Sequence, residues 1–109
     1  MKRGDLVIVA SPGDYGKPRP AVVVQSDFFQ DHPSVTLCLL TSELRDVPLF
    51  RVPVEKTEEN GLLKRSQVMV DKILTVSKEK IKDRIGRMDP GTLIEIDRAL
   101  ALWLGIGQG

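Results

Sequence analysis

One cysteine and one histidine are all that the 109 residues supply of the two side chains most used in metal binding and nucleophilic catalysis. A lone Cys38 excludes an internal disulfide. Its place in the apolar run Leu37, Cys38, Leu39, Leu40 marks it as a core thiol, suited to a reducing cytoplasm. A lone His32, with no cysteine or carboxylate cluster at ligand spacing, speaks against a zinc site and excludes mechanisms that need two histidines. Charge of one sign is also lacking: 16 Lys and Arg oppose 15 Asp and Glu, a net +1. No global basic field therefore draws the chain onto nucleic acid, and any RNA or DNA site must be a local patch. No run approaches a membrane span. Met1, Lys2 and Arg3 lead straight into a short strand without the apolar stretch of a signal peptide. Walker loop, dinucleotide fingerprint and nucleophile elbow are all missing, because residues 13–16 are too short for a phosphate loop and lack its lysine and Ser/Thr. Neither a nucleotide cofactor nor a metal is expected.

What is present reads as one domain over residues 1–109, large enough for a real core and small enough for an oligomer to be no surprise. Arg3-Gly4-Asp5 is a turn before a first strand at 6–10, whose unbroken apolar character predicts cover on both faces. A Pro/Gly loop at 11–17 precedes strands at 21–25 and 35–41, and these three form the centre of the sheet. Residues 49–55 alternate Phe50, Val52, Val54 against Arg51, Pro53, Glu55, a half-buried strand whose proline places it at an edge. Residues 58–61 make a turn on Asn60-Gly61. Residues 67–71 alternate again and continue to 76 after a kink, and Ser77 caps a short helical turn through 81. Asp89 as N-cap and Pro90 at the first position open a helix, with Leu93, Ile96, Leu100, Trp103 and Leu104 on one apolar face and Gly105 and Gly107 at its end. Trp103 is expected in the core. The sum is a mainly β (α+β) fold, an SH3-like small β-barrel with a C-terminal helix.

Arg19 is the side chain most in need of explanation. Pro18 and Pro20 hold the flanking φ angles and push Arg19 toward extended backbone, which aims a guanidinium at low entropic cost, as a phosphate or carboxylate site requires. Residue type alone equally allows a solvated arginine before an edge strand. The other polar residues at strand ends and loops are Lys17, Thr41, Ser42, Lys64, Arg65, Gln67, Asp71 and Lys72, most of which would be surface in any globular protein.

Five segments in order, Arg3-Gly-Asp-Leu-Val, Arg19-Pro-Ala-Val-Val-Val-Gln-Ser, Leu39-Leu-Thr-Ser, Gly61-Leu with Ser66-Gln-Val-Met-Val-Asp71, and Ile85-Gly-Arg-Met, resemble the MazF/PemK family of toxin ribonucleases. The resemblance runs from residue 3 to the terminal helix. It implies an SH3-like barrel of the CcdB/Kid superfamily, a homodimer, metal-independent cleavage of single-stranded RNA at short sequences, and neutralisation by an acidic antitoxin. Operator DNA is then met only through the antitoxin complex.

Metal-free cleavage uses the 2′-hydroxyl as nucleophile, so charge on the phosphorus oxygens must be stabilised and protons moved. Arg19 suits the first task, since a guanidinium is a poor proton donor but makes bidentate bonds to phosphoryl oxygens. Thr41 matches the family's second site residue, and its hydroxyl can hold a phosphate oxygen or the 2′-hydroxyl. An ordinary strand-end threonine fits the residue type as well. Asp71 corresponds to an acidic position used by some members and is the general-base candidate, with a surface aspartate before Lys72 as the alternative. Lys17, Lys64, Arg65 and Lys72 can line an RNA groove, while Ser42, Ser66 and Gln67 can contact the strand or its base edges. The chain departs from the family pattern in its short loop at 11–18, in Lys72, and in Met69 where one branch has an arginine. Two other readings on the same fold are a CcdB-like gyrase poison, suggested by the tail Trp103-Leu-Gly-Ile106, and an inactive homologue that only binds antitoxin.

Overall fold

The computed structural model of the protein describes residues 1–10 and 17–108. Six antiparallel strands form one sheet: β1 (Asp5–Ala10), β2 (Pro18–Val23), β3 (Ser34–Thr41), β4 (Arg51–Val54), β5 (Ser66–Ser77) and β6 (Ile81–Arg87), followed by the helix α1 (Pro90–Leu104). Their order across the sheet is β4-β5-β3-β2-β1-β6. The expected central trio is therefore adjacent, and β4 with its Pro53 lies at an edge, where a missing amide costs least.

The sheet is rolled. Only the three residues Lys78–Lys80 join β5 to β6, yet β3, β2 and β1 lie between those strands in the sheet. Four strand spacings of ~4.8 Å would separate them by about 19 Å if flat, and three residues of 3-10 turn rise only ~6 Å. The sheet must curl, and Val76 of β5 indeed shares an apolar cluster with Ile81 of β6, together with Val7, Val9, Ala21, Val23 and Leu37. The opposite face carries Leu6, Val22, Cys38, Leu40, Val68 and Val70 under Ile96, the buried residue of α1. β1 thus feeds both clusters, which is why its sequence shows no polar alternation.

Asp89 caps α1 through the Thr92 amide at 3.0 Å, Pro90 follows, and Gly105 closes the helix in the left-handed conformation at φ 71°. Several details differ from the sequence reading. β2 begins at Pro18, so Arg19 lies in a strand, paired with Val9, and not in a preceding loop. β6 was not anticipated: four of its seven residues are charged, and only one of its edges is paired. Ser77 precedes a 3-10 turn but makes no side-chain capping bond. Trp103 is 51% exposed, not core, and rests against Phe50 with ring centroids 5.9 Å apart. Most of the glycine loop read at 11–17 lies outside the described residues.

Candidate active site

The two prolines that stiffen Arg19 also supply no amide hydrogen, and β3 pairs with β2 only from Ala21 onward. The ladder is open beside Arg19. Continued two residues beyond the pair Ala21 and Leu39, the same register brings Arg19 level with Thr41, the last residue of β3. Both line a cleft of about 620 Å³ at this end of the barrel. Ile8, Pro20, Leu40, Leu62 and Ile85 form its apolar wall, and Lys17, Ser42, Lys64 and Ser66 complete its polar rim. Among the described lining residues three are cations and none is an acid, a setting that attracts a polyanion.

Thr41 is 8% exposed and its Oγ1 accepts the Glu43 amide at 3.1 Å, which leaves the hydroxyl proton free to donate elsewhere. Ser66 is buried, its hydroxyl donating to the Lys64 carbonyl at 3.0 Å, so it shapes the backbone that carries Lys64 to the rim. That rim is clamped from behind. The side chain of buried Asn60 donates to the Glu55 carbonyl at 2.8 Å and accepts the Thr57 and Leu62 amides, each at 3.0 Å. Gly61 stands at φ 71°, where a Cβ would lie 2.0 Å from the Ile85 carbonyl oxygen of β6.

Of the residues singled out in the sequence, the cleft brings together Lys17, Arg19, Thr41, Ser42, Lys64 and Ser66. Four stand elsewhere. Arg65 pairs with Glu55 at 2.9 Å. Gln67 bonds to residue 45, and Lys72 is exposed on β5. Asp71 is half-buried with one carboxylate oxygen enclosed and unpartnered, in the stretch of β5 where pairing to β3 is interrupted. Burial, and then the Asp71 charge, push the Cys38 thiol up to about 12 against a smaller opposing pull from Arg3.

Two residues of this region were not read from the sequence. Glu43, next but one to Thr41, is held below its ordinary carboxyl value by its hydrogen bond to Arg45 and that residue's charge, with Arg51 and Arg19 adding to the effect. Arg51 donates to the Glu43 carbonyl at 3.3 Å. The signal was the alternation of signs in Glu43, Arg45, Asp46 and Arg51 beside a strand end, which resembles any solvated loop. Among the described residues no three His, Cys, Asp or Glu side chains group as metal ligands, and no helix is long and apolar enough to cross a membrane.

A small curled sheet closed by one C-terminal helix, with an arginine and a threonine lining one cleft, defines a compact barrel with a cation-rimmed cleft at one end. Residues 2–104 match the family described as PemK-like, MazF-like toxin of type II toxin-antitoxin system. The chain belongs to that family. It is 40% identical over 107 residues to the probable endoribonuclease MazF of Mycolicibacterium smegmatis, covering 97% of this chain and 98% of the relative. Among solved structures, an endoribonuclease in complex with its cognate antitoxin from Mycobacterial species superimposes with TM-score 0.80 at 26% identity, over 97% of this chain and 96% of that one. The Mycobacterium tuberculosis toxin MazF-mt6 shares the fold, with TM-score 0.79 at 22% identity over 93% of this chain and 96% of its own.

Proposed function

We propose that this toxin is a sequence-specific endoribonuclease that cuts single-stranded RNA in the Arg19 cleft without a metal. The reading rests on one observation: Arg19 and Thr41 line a single cleft with Lys17 and Lys64, where the β2–β3 ladder is open. A 2′-hydroxyl oxygen loses its proton to a base and attacks the adjacent phosphorus, and the P–O5′ bond breaks with the 5′-oxygen taking a proton from water, leaving a cyclic phosphate and a 5′-hydroxyl. Arg19 stabilises the added charge on the non-bridging oxygens, and the Thr41 hydroxyl donates a hydrogen bond to one of them. Lys17 and Lys64 hold flanking phosphates, and Ser42 contacts the strand at the rim. Two carboxylates are candidates to accept the 2′-proton. Asp71 is the one the family resemblance points to, although it stands outside the cleft lining, and Glu43 is the one that feels the charge of Arg19. In this reading Arg65 and Lys72 extend the phosphate track outside the cleft.

A cognate acidic antitoxin peptide would cover the same cations, and the copies of the chain would pair as a homodimer. The mycobacterial relative solved with its antitoxin supports the first of these expectations. The exposed tail from Trp103 to Ile106 is assigned here to pairing between copies and not to a gyrase. The test is cleavage of purified RNA in EDTA, with no gyrase present and the cut sites mapped by primer extension. The wild type is expected to cut at a short recurring sequence. Arg19→Ala is expected to lose about 10²–10³ in rate while its circular dichroism is unchanged. Cleavage by Arg19→Ala at the wild-type rate would remove Arg19 from the mechanism.

A further inference from the structure

The segment after Thr41 carries Ser42 to the cleft, yet residues 42–50 contain no strand or helix that could fix their path. Gln67 does that work. Its Nε2 donates to the Arg45 carbonyl at 2.8 Å, and its Oε1 accepts the Arg45 amide at 3.1 Å. One side-chain amide therefore makes to residue 45 the pair of bonds that a neighbouring strand would make, which fixes both the position and the orientation of that peptide. The same Oε1 accepts Nη1 of Arg51 at 3.3 Å, and that nitrogen also donates to the Glu43 carbonyl at 3.3 Å. The Glu43 amide in turn donates to Thr41 Oγ1. Since Thr41 is the ladder partner of Gln67, the backbone of Gln67 holds one end of this segment and its side chain holds the other.

We propose that Gln67 is a positioning residue, whose amide latches residues 42–46 onto β5 and thereby sets Ser42, Glu43 and the Thr41 hydroxyl beside Arg19. The proposal rests on the reading of the cleft as an RNA-cleaving site. It differs from a base-reading role in a specific way: a glutamine that reads a base edge presents its amide atoms to the nucleotide, whereas both amide atoms of Gln67 are already bonded within the protein. Loosening the latch should change the rate at every cut site alike. Losing a base reader should change which sites are cut.

The experiment compares wild type, Gln67→Ala and Gln67→Glu by single-site cleavage kinetics on an RNA oligonucleotide, by mapping of cut sites on a long RNA, and by amide hydrogen exchange at Arg45. For Gln67→Ala the expected result is a kcat lower by about tenfold or more. KM should stay within about threefold, the cut sequence should be unchanged, and protection of the Arg45 amide should be lost. Gln67→Glu keeps acceptors for the Arg45 amide and for Arg51, so it should retain that protection and cut at a rate between the other two. Wild-type kcat in Gln67→Ala, or an altered cut sequence with the Arg45 amide still protected, would overturn the proposal. Should Gln67→Ala fail to fold, Gln67→Glu decides alone, because a full wild-type rate or an exposed Arg45 amide in that variant is equally fatal. RNA left intact by the wild type would instead overturn the cleavage reading, and hydrogen exchange at Arg45, which needs no RNA, would still decide the latch.

Discussion

Arg84 and Arg87 both reach one oxygen of Asp5, at 3.2 and 3.0 Å, while the Lys2 amide donates to the other at 2.9 Å. Burial of Asp5 opposes its ionisation, but the Lys2 amide and the two guanidinia outweigh it and hold the carboxyl below the ordinary aspartate value. A lowered folded-state value means that the contribution to stability is complete above the unfolded value near ~3.9. It is lost as pH falls through the folded-state value. Urea unfolding is therefore expected to show wild type losing more stability between pH 6 and pH 3 than Asp5→Asn does. The difference should be modest, because both arginines are about half-exposed and solvent screens their attraction. Equal pH dependence in the two proteins would show that the cluster is not a stability element. The turn around Asp5 was legible from Gly4 and Asp5 alone, but its partners lie about eighty residues away, and no local pattern announces a pairing of that range.

At the scale of elements, the segment linking β4 to β5 is a structural part in its own right. Its Asn60-Gly61 pair was readable as a turn, and Gly61 does take the positive φ such a turn needs. What the sequence could not convey is that the turn is wedged against β6. The Glu59 carbonyl accepts the Arg87 amide at 2.7 Å, and a Cβ on Gly86 would meet that same carbonyl oxygen at 2.4 Å. Glycine at 61 and at 86 is thus required by contact between backbones, which sequence expresses only as two ordinary glycines. Gly61→Ala is expected to cost about 3 kcal/mol or more, from the left-handed backbone and the clash with the Ile85 carbonyl together. A urea midpoint unchanged by that substitution would contradict the wedge. The helix, by contrast, was readable almost to the residue, because Asp89, Pro90 and Gly105 act on their own backbone neighbours. β6 was hidden because edge position and exposure allow a strand to be written in charged residues. The candidate site was legible in its two strand-end residues, Arg19 and Thr41. The engagement of Gln67 and the position of Asp71 were not, since both depend on the interruption of β5 pairing.

For the molecule as a whole, the rolled sheet leaves an apolar surface uncovered beside α1. Leu49, Leu102, Trp103 and Leu104 are 68%, 47%, 51% and 56% exposed, and the Leu49 and Leu102 side chains share a groove between α1 and the β4 edge. Exposed apolar surface of this kind on a small chain favours self-association. Sedimentation is expected to give twice the chain mass for the wild type and a single chain mass for Trp103→Asp at the same micromolar concentration, while both remain folded. A wild type that stays monomeric would remove Trp103 from any pairing surface. The wedge between residues 59–61 and β6 has one more consequence, and it concerns time. Synthesis at about 5–20 residues per second delivers β6 some seconds after β2 and β3. Ile85, a wall of the cleft, and the Ile85 and Arg87 backbone that holds the rim in place are absent until then. A chain still attached to its ribosome, and therefore to its own message, has Arg19 and Thr41 long before it has the cavity in which they would face a phosphate.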